Sequence, residues 1–149
     1  MGIRSVLERL RDGIVADAQL KVFTQATYTS NINVFCGNDV NNSPAKTYSP
    51  YVVINNVENV IRGGNRNTYK INFFVGIVSE DKTEVTNVIT YDGFILCEEL
   101  REEIENAILR LRKYKWKIDI ESSTLVNNVF PLFTSNFMVN IETINSSRS

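Results

Sequence analysis

The chain contains no histidine. Imidazole is the usual neutral-pH base and the commonest nitrogen ligand for metals, so Ser-His and Cys-His nucleophile pairs and ordinary zinc sites cannot be built from this sequence. Cysteine is nearly as scarce. Cys36 and Cys97 stand far apart, and Cys97 lies on an apolar helical stripe, so both read as reduced, packed thiols rather than a disulfide. An excess of either charge is lacking as well. With 16 basic and 17 acidic side chains the net charge is -1, which leaves no long-range field to gather nucleic acid or anionic membrane. No stretch approaches the roughly 20 apolar residues that span a bilayer. The opening MGIRSVLERLRD is amphipathic where a secretion signal has an apolar core, and Val6 stands where a myristoylation signal has Ser or Thr. Carboxylate-only or lysine chemistry stays open, but with no catalytic signature the expectation is a non-enzyme without cofactor, metal or membrane, made and kept in the cytoplasm.

What is present is enough for one domain. At 149 residues with 43% hydrophobic content the chain can bury a real core, and we expect a single domain over residues 1–144 with a flexible tail at 145–149. The organising element is the stretch Tyr91 to Lys113. Phe94, Cys97, Leu100, Ile104, Ile108 and Leu111 recur at steps of three and four with Ala107 beside them, which predicts one buried face of a long helix. Glutamates 98, 99, 102, 103 and 105 come early and Arg110, Arg112 and Lys113 late, as the helix dipole favours. Residues 3–14 repeat the pattern on a smaller scale, with Gly13 as a weak point, while Ala16 to Tyr28 fits either a helix or a strand opening.

Ile32 and Val34 suggest a short strand, followed by a turn-rich loop from Gly37 to Ser49. Tyr51 to Ile54 begins a second strand. Arg62 to Asn67, with Gly63, Gly64 and Asn65, reads as a hairpin tip because glycine supplies the positive φ a tight reversal needs. Tyr69 to Ser79 returns as a strand apolar on one face, with Phe74 and Val78 apolar on the other. Glu80 to Thr83 then turns, and Val85, Val88 and Ile89 lead into the long helix through Thr90 or Asp92 as cap. Tyr114, Trp116, Ile118 and Ile120 alternate with charged residues in a half-buried strand. Leu125 to Phe133, bent at Pro131, and a last strand through Phe137, Val139 and Ile141 complete an α+β domain: a mostly antiparallel sheet with an N-terminal helix and one long helix packed on one face.

Three constellations have a chemical reading beside a plainer one. The glutamate cluster can be a divalent-metal site or a solvated helix face; without a partner histidine or an Asp-rich loop the second is expected. Gly63-Gly64 between Arg62 and Arg66 can cradle a phosphate or simply turn the chain, and no helix follows to supply a dipole. RLRKYKWK, Arg110 to Lys117, can stack and pair with single-stranded nucleic acid, or can send its aromatics into the core and its lysines into water. Apolar groups on both faces of strands such as Phe73-Phe74-Val75 and Val129 to Phe133 point instead toward burial against another subunit.

The order of an amphipathic N-terminal helix, a loop closing on SPYVVIN (Ser49 to Asn55), a hairpin returning through YKINFFVGIVSED (Tyr69 to Asp81), a long helix from about Asp92 and strands to the C-terminus resembles the tail-terminator and minor-tail (neck) proteins of tailed bacteriophages and phage-tail-like particles. The resemblance covers nearly the whole chain. It implies a structural, non-catalytic protein of the virion tail, assembled in the bacterial cytoplasm as a homo-oligomeric ring, usually of six subunits. Implied partners are the tail tube protein, the head-tail connector or neck protein and, in contractile particles, the sheath protein. A head-tail connector or stopper is the alternative within this class, and a small nucleic-acid-binding module the alternative outside it. If the resemblance holds, the segments the core does not need make subunit or tube contacts: Arg62, Gly63, Gly64, Asn65 and Arg66 of the hairpin tip, and Asn41, Asn42 and Lys46 of the loop.

Overall fold

In the computed structural model, residues 2–37, 48–61, 66–122 and 127–144 are described. Two helices, α1 (Ile3–Ala16) and α2 (Ala18–Tyr28), precede β1 (Asn33–Cys36), β2 (Tyr51–Ile61) and β3 (Arg66–Val78). A small hairpin of β4 (Lys82–Val85) and β5 (Val88–Tyr91) follows. Helix α3 (Asp92–Leu109) then runs through a 3₁₀ turn at Arg110–Tyr114 into β6 (Lys117–Ser122), β7 (Asn127–Val129) and β8 (Leu132–Ile144). The ambiguous 16–28 segment is thus helical. Asp17 starts it, accepting the backbone N–H of Leu20 at 2.9 Å as an N-cap.

The main sheet has the order β1-β2-β3-β8-β6, with β7 also on β8. All its pairings are antiparallel except β1 with β2, which is parallel (Asn33 opposite Tyr51). The long pairing of β3 with β8 sets the register. Tyr69, Ile71, Phe73, Val75 and Ile77 stand opposite Ile141, Val139, Phe137, Ser135 and Phe133, all ten buried on the helix-covered face. Phe73 and Phe137 stack with ring centroids 4.9 Å apart and planes within 7°. From the helices, Val6, Leu10 and Ile14 of α1, Leu20 of α2, and Cys97, Leu100, Ile104, Ala107 and Ile108 of α3 complete one core.

Several expectations need correction. Phe94 heads the predicted stripe but is 49% exposed. Gly93 takes its inward place, so close to the Phe133 ring that an added Cβ would collide with it. The segment expected to lead straight into α3 is the β4–β5 hairpin, and α3 begins at Asp92 without a side-chain cap. Leu125 to Phe133 is not one bent strand. β7 and β8 fold back on each other through Phe130-Pro131, and β8 becomes a central strand of 13 residues. Tyr114 belongs to the 3₁₀ turn rather than to β6. Of the thiols, Cys97 is buried and Cys36 is exposed rather than packed; both are free. Burial, with the Glu98 charge adding to it, pushes the Cys97 thiol up to about 12.

Among the described residues, the other face of the main sheet carries no helix. Its alternate residues include Lys70, Asn72, Phe74 and Gly76 of β3, Val53 of β2 and Asn136 of β8. At one margin Phe35 makes edge contacts with Tyr48 and Tyr51, at 5.3 and 6.4 Å between centroids. The Tyr51 ring lies over Gly76, its cross-strand partner, and fills the space a side chain there would need.

Candidate assembly surface

Charged side chains that had a chemical reading prove to be structural. Arg101 is buried on α3 between Glu98, 2.5 Å away, and Glu105 one turn further on. Burial opposes its charge, yet the hydrogen bond to Glu98 and the field of Glu105 hold the guanidinium pKa above its ordinary value. Glu98 and Glu105 are therefore partly buried partners of an arginine, not members of a solvated face, whereas Glu99 and Glu102 are exposed. Among the described residues no group of three potential ligands is placed to hold a metal ion, and no described helix is long and apolar enough to cross a membrane.

Arg110, first of the basic run, closes a clamp between the end of α3 and the start of α2. Its Nε and Nη2 each donate to Asp17 at 2.7 Å and its Nη1 donates to Gln19 at 3.2 Å. The clamp borders a cleft of about 450 Å³ lined by Arg9, Asp12, Gly13 and Ala16, whose walls carry charges of both signs. Trp116 is buried, so the run does not present that aromatic for base stacking. The hydrogen bond from Arg110 outweighs partial burial and holds the Asp17 carboxyl below its usual 3.8. A depressed carboxyl stabilises the fold above its unfolded pKa and loses that contribution as pH falls through the folded value. Asp17→Asn, which keeps the cap but not the charge, should therefore cost about 1 kcal/mol at pH 7, the clamp being partly solvated. The difference from wild type should vanish once the pH falls below the lowered folded value of the Asp17 carboxyl, which urea titrations at pH 7 and along the acid limb would measure.

Of the sequence-derived contact residues, only Arg66 is described. It is the first residue of β3 rather than part of a turn, and pairs with Glu142 at 3.4 Å on the surface. Arg62, Gly63, Gly64, Asn65, Asn41, Asn42 and Lys46 lie outside the described residues.

A further exposed apolar surface lies at the β4–β5 hairpin. Every residue of the β4–β5 hairpin is exposed except Thr90, which is half-buried. Val85 and Val88, opposite each other at its tip, are 63% and 62% exposed. Ile89 and Tyr91 are exposed on the ribbon's opposite face, Phe94, Ile95 and Phe130 are exposed nearby in sequence or contact, and the Tyr91 and Phe130 rings meet at 5.3 Å. Among the described residues no sheet backs this two-stranded ribbon, and such a ribbon alone is marginal in water. The turn hides the hairpin from sequence inspection. It is Thr86-Asn87 rather than Asn-Gly, and Thr86 sits at φ 55°, a left-handed conformation that a β-branched residue adopts at a cost. Thr86→Gly should relieve about 1 kcal/mol of local strain, seen as slower amide exchange in β4 and β5 with the main sheet unaffected.

No family model and no curated protein matches this chain. The functional reading therefore rests on the surface itself and on the resemblance in element order.

Proposed function

We propose that this protein is a structural subunit that assembles with copies of itself, and that it serves as a tail terminator, a ring capping a phage or phage-like tail tube and presenting a surface to the head connector. The observation that carries self-assembly is the exposed apolar hairpin, followed by the exposed Phe94 and Ile95 at the start of α3. The element order that resembles tail-terminator proteins supplies the place of that assembly, the virion tail. The Arg62 to Arg66 tip would then meet the tube or a neighbouring subunit. Removing the protein from a producing particle should leave tubes of uncontrolled length, or tubes unjoined to heads, in electron micrographs. Normal, joined particles would overturn the tail-terminator assignment.

A further inference from the structure

We infer that two copies of this chain pair through β6, edge to edge and antiparallel about Ile118, so that their main sheets join into one. The inference rests on the self-assembly reading and names a contact for it. β6 ends its side of the main sheet: among the described residues it pairs with β8 alone, and no other segment hydrogen-bonds its outer edge. Such an edge is a row of unpaired N–H and C=O groups, a template for one more strand. The helix layer leaves it open. Between α3 and β6 runs a cleft of about 430 Å³, with Glu102, Asn106 and Leu109 on one wall and Ile118, Asp119 and Ile120 on the other.

The charge pattern of the strand selects a second copy as the occupant. Lys117, Asp119 and Glu121 alternate with Ile118 and Ile120, and all three charged residues are exposed. Charges on an edge strand ordinarily repel a newcomer. In a two-fold pairing centred on Ile118 they attract instead: Lys117 of each copy stands opposite Asp119 of the other, and Glu121 opposite Lys115, just before the strand. Among the described residues neither Lys117 nor Asp119 has an ion-pair partner in its own chain. On the helix-covered face Ile118 meets Ile118 at the axis, and the half-buried Ile120 faces Trp116 of the other copy, so apolar groups meet apolar groups. The neighbouring registers fail. Centring on Lys117 or on Asp119 sets two like charges face to face across the axis, and centring on Ile120 opposes Asp119 and Glu121 twice. A slip of one residue throws the helices of the two copies onto opposite faces. The contact is isologous and closes at two copies; a larger ring joins such pairs through a second surface.

Light scattering on the wild type, on Lys117→Asp, on Asp119→Lys and on an equimolar mixture of the two variants tests the pairing, with circular dichroism to confirm folding. The wild type should be an oligomer with an even number of chains. Each variant alone opposes like charges twice, and its mass should fall to half that of the wild type or less. In the mixture every charge again faces its opposite, and the mass should return. Lys117→Asp/Asp119→Lys, which exchanges the two charges within one chain, should assemble by itself, so the register is tested even if a single variant fails to fold. A wild type that stays monomeric removes self-assembly and this contact together. Single variants that keep the wild-type mass leave self-assembly standing and remove the contact. Variants of reduced mass that do not regain it on mixing, or an exchanged variant that stays monomeric, also overturn the pairing, because the two charges then do not meet across copies.

Discussion

Phe73→Ala should destabilise the protein by about 3–5 kcal/mol, and for a chain of this size the thermal midpoint should fall by about 10 °C. Phe73 is fully buried in the central strand β3, stacked on Phe137 of β8 and covered by the helices. Its removal loses the transfer free energy of a ring and leaves a cavity that a sheet bonded on both sides of β3 cannot collapse into. Phe74→Ala is the built-in control. One residue along, it points to the helix-free face and should cost the single chain no more than about 1 kcal/mol. Urea titrations of the two variants, at a concentration where the chain is monomeric, check the register directly. Equal losses would mean that β3 is not oriented as described, because a slip by one residue exchanges the two faces.

Arg101→Met is expected to cost about 3 kcal/mol, although methionine suits a helix and fills similar space. The loss comes from the carboxylates left behind. Glu98 and Glu105 lose the guanidinium between them, and Glu105 is held in a site where water replaces it poorly. Because Glu98 stays about a quarter exposed, the figure sits at the low end for a broken buried pair. Arg101→Met combined with Glu98→Gln and Glu105→Gln should recover most of the stability, since no buried charge is stranded. Equilibrium unfolding of the single and triple variants decides the point: a triple variant as unstable as the single would show that shape, not charge, is what Arg101 supplies.

Much of this architecture was legible along the chain. The period of α1, the inner stripe of α3 from Cys97 to Ile108, and the alternation from Tyr69 to Ile77 are local signals, because one buried face forces apolar residues to recur at the spacing of the element. The α+β class with helices on one face of a mostly antiparallel sheet follows from those periods and their order. The hairpin part of the candidate surface was not legible, whereas Phe130 lies in a stretch apolar on both faces. The β4–β5 hairpin lacks a turn signature, and its apolar residues resemble an approach to the helix until the structure shows that no described residue buries them.

The sequence by itself determined that no imidazole is available from these residues and which faces must be buried, since both depend on residue type and local spacing. Tertiary structure alone decided the rest. Gly93 rather than Phe94 meets Phe133 because the helix is rotated by how it packs on β8. Arg101 is buried because two glutamates a turn away on either side neutralise it. β8 is central because β3 on one side and β6 and β7 on the other pair with it. Each outcome turns on contacts between distant segments, which no local period encodes.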